Sequence, residues 1–479
     1  MVHKNSAIPM PQIAPRPAAL ASADASYRML WRWHFYAGLF VMPFLIVLAV
    51  TGTLYCFQPQ IEPLLYPQLL KVEPSGERLP AQRLLDRARE AAPTGATVTN
   101  YTLNTDPRAS AEFVFRLPAG GSDSVFLNPY TGTYLGSLSV EDRFMKQVRM
   151  IHRALLVGKP GELLMELAAC WVLVMIATGL AMWWPRLRQR GARAFVPGPA
   201  TGSRGGWKEI HLVLGAWLAV GALAFILSGL PWTGSWGKQF KALATAANLG
   251  RPADGQGDMH AHAAPPAAGA DHAKHHHTME SLPLADMPWA VGLTAVPSVA
   301  PAQTAPLTLD QVVAVVAAQG ITTGCQVVFP KAPGGVYTAS CFPADPSGER
   351  TLHIDPANGR VVKDLRFADY GPVAQAISYG TSLHMGRYFG LANQLICAAI
   401  SLGLMAMAIT GLVMWIQRKP ARKLGAPSYP AALPPMRAWA IGLGLLGAVF
   451  PMMGVTLLAV WLLDRRIAGA GGVRTAPTV

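Results

Sequence analysis

A chain of 479 residues that is 51% hydrophobic and only 14% charged is too apolar for an ordinary soluble domain. The net charge of +14 collects in short basic segments beside long apolar runs, so it reads as a topology signal and not as nucleic-acid binding. Five cysteines are too few for a disulfide scaffold.

Residues 1–27 are expected to be a cytoplasmic tail. The first 26 hold no h-region, so no cleaved signal peptide is expected. Residues 28–58 are predicted as the first transmembrane helix, with an apolar core near 35–57 long enough for a hydrocarbon layer that takes roughly 20 residues. An α+β segment follows at 59–140, with a helical stretch "LPAQRLLDRAREA" and a strand–turn–strand pattern in "VFLNPYTGTYLGSL". Residues 141–186 read as an interfacial helix and a second span, apolar near 163–184. The interfacial stretch places Phe144, Val148, Ile151, His152 and Leu155 on one apolar face.

A basic loop at 187–207 leads to a third span at 208–232, apolar near 211–230. Residues 245–305, rich in Ala, Pro and His, read as a flexible linker. A second α+β segment is expected at 306–366, with "LTLDQVVAVVAAQ" as its helix and "LHIDPANGRVVKDL" as its hairpin. Within it Cys325 and Cys341 flank a hairpin tipped by "APGG", opposite each other, where a disulfide is plausible outside the cytoplasm. Residues 367–418 give a second interfacial helix, with Val373, Ile377 and His384 on its apolar face, and a fourth span near 391–416. A last hydrophobic segment at 436–464 holds Pro451 and Gly454, and is either a fifth span or a broken hairpin. Arg28 and Arg32, "RLRQRGAR" with Arg204, and "RKPARK" mark the cytoplasmic side, and tryptophans at the span ends fit an interfacial belt.

The two halves follow one plan. Aligned on His34 and His211, Gly38 matches Gly215 and Thr51-Gly52 matches Ser228-Gly229. Aligned on His152 and His384, Gly158 matches Gly390, Thr178-Gly179-Leu180 matches Thr410-Gly411-Leu412, and Arg186 matches Arg418, without a gap. Both halves enter and leave from the cytoplasm, so they are expected to be parallel repeats about an axis along the membrane normal. The expected fold is therefore a membrane-embedded α-helical bundle of four core transmembrane helices, plus the C-terminal segment, in two parallel repeats with two small external α+β domains.

A single histidine at a helix end is ordinarily a hydrogen-bonding or interface residue. Two symmetry-related pairs beside lipid are costly and point to ligation. His34 with His211, and His152 with His384, would each supply two opposed imidazoles, the requirement for bis-His haem. A zinc site wants four close ligands, and no Cys, Asp or Glu of matching repeat accompanies either pair. Gly38 and Gly215, one turn after their histidines, either clear room for a porphyrin face or serve ordinary helix packing. The tract containing His260, His262, His272, His275, His276 and His277 has no counterpart in the first half; it is either an auxiliary metal-binding run or a solvated linker.

The repeated "H…TGLxMW" helices, "GLPWTGSWG" after the third span and the Asp-Pro-x-x-Gly turns resemble the PepSY-associated transmembrane family over roughly residues 28–418. That resemblance implies a bacterial inner-membrane protein with PepSY-like domains in the periplasm. It also implies two non-covalent haem b groups on His34, His152, His211 and His384, and ferric-siderophore reductase activity. No G-x-G-x-x-G stands between a strand and a helix, so electrons are expected from quinol or a partner protein. No C-x-x-C-H is present, which speaks against covalent haem. Rival readings are a di-haem chain with a copper or quinone acceptor, a non-enzymatic PepSY-type regulator or ligand-binding protein, and a transporter, the last disfavoured by the lack of charges within the spans.

Overall fold

The computed structural model describes residues 18–199, 202–250, 277–301, 305–421, 424–428 and 436–471. In chain order its helices and strands are α1 (Ala18–Cys56), α2 (Gln58–Leu65), α3 (Pro67–Leu70), α4 (Ala81–Ala91), β1 (Thr97–Leu103), β2 (Ala111–Arg116), β3 (Ser122–Leu127), β4 (Tyr134–Ser139), α5 (Phe144–Ala154), α6 (Lys159–Arg190), α7 (Gly202–Gly229), α8 (Trp236–Ala246), α9 (Leu309–Ala318), β5 (Cys325–Val328), β6 (Tyr337–Cys341), β7 (Arg350–Ile354), β8 (Val361–Arg366), α10 (Pro372–His384), α11 (Leu391–Arg418), α12 (Arg437–Val449) and α13 (Pro451–Gly471).

Among the described residues, four helices are long and apolar enough to cross a membrane: Asp24–Cys56, Lys159–Phe195, Arg204–Trp232 and Leu391–Arg418. The protein is an α-helical membrane protein. Each helix outruns the apolar core that marks it in the sequence, because i→i−4 bonding continues through polar ends that hydropathy does not register.

The chain divides into two compact units. One comprises Met1–Pro43, Leu167–Ala219 and Met407–Val479; the other comprises Phe44–Glu166 and Val220–Ala406. In the first unit, Arg32 of α1 is buried against Asp464 of α13, which also accepts from the Tyr36 hydroxyl at 3.1 Å. A buried carboxylate needs such partners. The C-terminal apolar segment breaks at Phe450. A Cβ on Gly447 would lie 2.9 Å from the Gly454 Cα, a contact that a straight helix cannot make over seven residues. Pro451, which cannot donate a backbone bond, opens α13. The segment is two helices joined at a sharp bend.

In the second unit the two α+β segments share one antiparallel sheet, ordered β4-β3-β2-β1-β5-β6-β7-β8, which reads alike from either edge. Reading 59–140 and 306–366 as separate domains misses the central pairing: Tyr101 faces Val327 and Leu103 faces Cys325 across β1 and β5. Two four-stranded meanders would each leave an exposed edge there; pairing removes both. Helices α4 and α9 cover one face, where Leu84, Leu85, Phe113, Phe115, Val312, Val316, Leu352 and Ile354 form one core. The two hairpin turns are built alike. Asn128 and Asp355 side chains accept from the backbone two residues on, and Gly132 and Gly359 close the turns at φ +72° and +74°. Cys325 faces Cys341 across β5 and β6, and the two form a disulfide.

Two local expectations change. Helix α5 ends at Ala154, and Leu155 and Leu156 turn left-handed, so Leu155 does not extend the helical stripe. Its buried face is Met145, Val148 and Ala154, with Phe144 exposed. Of the expected linker at 245–305, residues 277–301 are packed: Met279, Trp289, Ala290 and Val291 join Ala244, Leu365, Tyr370 and Ile377 in a second core, and the Trp289 indole donates to the Pro231 carbonyl at 3.0 Å. The linker composition averaged over these few large apolar side chains and hid them. His260, His262, His272, His275 and His276 lie outside the described residues; His277 is described and exposed.

Candidate functional site

Each unit holds one histidine pair. In the first, His34 of α1 faces His211 of α7, ring centres 6.3 Å apart and planes at 87°. In the second, His152 of α5 faces His384 of α10 at 6.4 Å and 86°.

A threonine-glycine or serine-glycine step on a different helix positions each imidazole. His34 Nδ1 lies 3.0 Å from the Thr178 hydroxyl, His211 Nδ1 2.9 Å from Thr410, His152 Nδ1 2.9 Å from Thr51 and His384 Nδ1 2.9 Å from Ser228. Every one of those hydroxyls donates its own proton to a carbonyl one turn back in its helix, Val174, Met407, Val47 and Ala224 respectively. The hydroxyl oxygen can then only accept, so Nδ1 carries the ring proton and Nε2 keeps its lone pair. The adjacent glycine lets the ring lie against the helix backbone. A Cβ at Gly179 would meet His34 Cε1 at 3.2 Å, at Gly52 His152 Cε1 at 3.3 Å, at Gly229 His384 Cε1 at 3.5 Å and at Gly411 His211 Cε1 at 3.6 Å. Burial holds His152 and His384 below the ordinary histidine range, to about 3 and about 4, so both are neutral donors at physiological pH.

The spacing suits a metal midway between the rings. A metal–nitrogen bond of about 2.0 Å plus about 1.2 Å from nitrogen to ring centre, taken on both sides, gives about 6.4 Å. Among the described residues no group of three or more His, Cys, Asp or Glu could hold a metal ion, so each pair offers two protein ligands and no more. A tetrahedral zinc site is short of donors there. A macrocycle that brings its own four equatorial nitrogens is not. The residues fit bis-His haem.

His353 is the informative contrast. It too has its Nδ1 on a threonine, Thr338 at 3.0 Å, but it is wholly buried in the sheet, its Nε2 is unpartnered and, among the described residues, no second imidazole faces it. It is a core histidine. Gly38 and Gly215 meet methionine tips: Met175 Cε would be 3.8 Å from a Cβ at Gly38, and Met407 Cε 3.1 Å from one at Gly215. A Cβ at Gly215 would therefore crowd its methionine neighbour, whereas one at Gly38 would make an ordinary contact.

Sequence reasoning paired the Thr-Gly and Ser-Gly steps as matching positions without giving them a task. Their signal was available: a hydroxyl followed by glycine in each of four spans, one step per histidine. The family model described as the PepSY-associated TM region matches residues 31–418, a stretch that contains all four histidines and all four steps. No curated protein matches the chain at a significant level.

Proposed function

The chain belongs to the PepSY-associated transmembrane family, and on that premise we propose that it is a di-haem inner-membrane reductase of periplasmic ferric siderophores. The observation that carries this reading is the pair of imidazole pairs, each spaced for a metal, each with Nδ1 anchored and Nε2 unprotonated. Two non-covalent haem b groups held there would supply one-electron transfer, His34 and His211 binding one and His152 and His384 the other.

The two halves act as parallel repeats, with the basic segments in the cytoplasm and the eight-stranded sheet in the periplasm. The Cys325–Cys341 disulfide supports that side for the sheet, since structural disulfides persist in oxidising compartments. In sequence, His34 and His211 stand beside the basic segments, and His152 and His384 beside the segments that form the sheet. Quinol or a redox partner protein supplies the electrons on the cytoplasmic side. A siderophore with hard oxygen donors prefers Fe(III), so reduction to Fe(II) releases the metal. The His-rich tract supports a second reading in which the acceptor is copper.

Haem content by pyridine haemochrome, set against protein concentration, tests the cofactor; two per chain are expected, and a folded haem-free protein would end the proposal. Direction is tested in oriented vesicles holding reduced protein. A membrane-impermeant ferric siderophore should reoxidise it only when the sheet faces outward, and equal reoxidation from both faces would refute the topology.

A further inference from the structure

The residues around His152 and His384 carry more cations than their neighbours neutralise. Arg149 lies one helical turn before His152, Arg153 directly follows it, and Arg387 lies three residues after His384. Arg149 donates to the Asp286 carboxylate at 2.7 Å, to the Ala285 carbonyl at 3.1 Å and to the Tyr55 phenol. Tyr55 stands one turn beyond Thr51, the anchor of His152, so this group rises from the same side of α1. Arg153 reaches the Trp232 carbonyl at 3.5 Å, and Arg387 donates to the Phe342 carbonyl and lies over its ring at 4.7 Å. Both are within electrostatic reach of Asp286 and Tyr55, and Lys146 is within reach of Arg149, Arg153 and Asp286.

Four cations thus share Asp286, with Glu162 also acting on Arg153 and Glu141 on Lys146. Glu162 is itself paired with Lys159 at 3.5 Å, and burial raises Glu349 to about 7, so the cations still outnumber the carboxylates. Burial pushes Lys146 and Arg387 down, the signature of cations held short of water and counter-charge. Guanidiniums gathered in this way match the paired oxygens of carboxylates, which an anion could complete with charge-assisted bonds.

We infer that Arg149, Arg153 and Arg387 form a carboxylate-binding site beside the His152–His384 pair. The inference rests in part on the proposed function, because that reading offers two sources of carboxylate: the propionates of a haem held by the pair, and a carboxylate-bearing ferric chelate arriving from the periplasm. The experiment separates them with Arg149→Gln, Arg387→Gln and the charge-retaining Arg149→Lys, each checked for an intact thermal unfolding transition. In the first arm, haem release from the purified protein to an excess haem acceptor is timed. If propionates are the ligand, the glutamine variants release one of two haems about tenfold faster or more, and Arg149→Lys remains close to wild type. In the second arm, binding of ferric citrate and of a neutral ferric trihydroxamate is titrated by tryptophan quenching. If the chelate is the ligand, wild type prefers ferric citrate and the glutamine variants lose about tenfold for it alone. Charge-independent behaviour in both arms overturns the inference. A protein that purifies without haem would defeat the proposed function instead, and the citrate arm would still decide the site.

Discussion

The hydroxyl of Thr51 lies 2.9 Å from Nδ1 of His152 while its proton is held by the Val47 carbonyl at 2.6 Å. This relay from a helix carbonyl through a hydroxyl to an imidazole fixes the tautomer and the ring orientation together. It recurs at all four histidines, and a set of merely interfacial histidines has no need of it.

Thr51→Val keeps the shape of the side chain and removes the acceptor. The expected result is a haem affinity at the His152–His384 pair lower by about 10- to 100-fold, with the other pair unchanged. Thr51→Ser restores the hydroxyl and should restore affinity. Rates of haem transfer to an acceptor protein read both, and equal rates for the Val and Ser variants would show that the hydrogen bond has no role.

His34→Ala and His211→Ala are each expected to abolish the same spectral component, and His152→Ala and His384→Ala the other. The pairs are read from ring centres 6.3 and 6.4 Å apart. Difference spectra of the four variants, recorded through a stepwise redox titration, decide it. Loss of the same component in His34→Ala and His152→Ala would contradict the pairing.

Much of this architecture could be read from residues alone, and the reasons differ by element. The four spans announce themselves through apolar length, and the histidine pairs through the register of the two halves. The shared sheet could not be read, because Tyr101 pairs with Val327 across more than two hundred residues, and no local pattern encodes which edges meet. Trp289 and Met279 were lost in a window dominated by Ala, Pro and His. The role of Thr51 and its three counterparts escaped because a hydroxyl within a span most often bonds its own helix; these do that and also turn the remaining lone pair outward.

The glycine beside each hydroxyl gives a graded prediction. A methyl at Gly179 would press on His34 Cε1 at 3.2 Å, whereas at Gly411 it would meet His211 Cε1 at 3.6 Å, an ordinary contact. Gly179→Ala should therefore shift the absorption and midpoint potential of the His34–His211 site, and Gly411→Ala should leave both near wild type. Identical behaviour of the two variants would mean that ring contact does not limit these positions.

Glu349 is buried beneath α10, its carboxylate accepting from the Ser378 hydroxyl at 2.9 Å. Burial raises it from 4.5 to about 7. Between those values the folded protein binds more protons than the unfolded chain, so the contribution of Glu349 is fully present below about pH 4.5 and is lost as pH rises through about 7. Glu349→Gln should stabilise the sheet-bearing unit above pH 7, by at most about 3 kcal/mol, and give no gain near pH 4. Denaturant unfolding at both pH values checks the sign; a gain confined to low pH would reverse the assignment.

The ring planes lead to a spectroscopic prediction for both sites at once. They cross at 87° in one pair and 86° in the other, held there by the hydroxyl on Nδ1 and the glycine against Cε1. Parallel axial imidazoles would act on the same iron orbital and split the set; perpendicular ones act on two orbitals nearly equally and leave them close in energy. Ferric low-spin iron between perpendicular rings should give a strongly anisotropic paramagnetic resonance signal, displaced to low field, in place of the rhombic pattern of parallel rings. Both sites should give this one type of signal. Thr178→Val frees the His34 ring to rotate while keeping it a ligand, so part of the signal should move toward the rhombic form, with the His152–His384 contribution unaltered. A wild-type spectrum that is rhombic at both sites would mean that the hydroxyl anchors do not set the rings when the sites are filled.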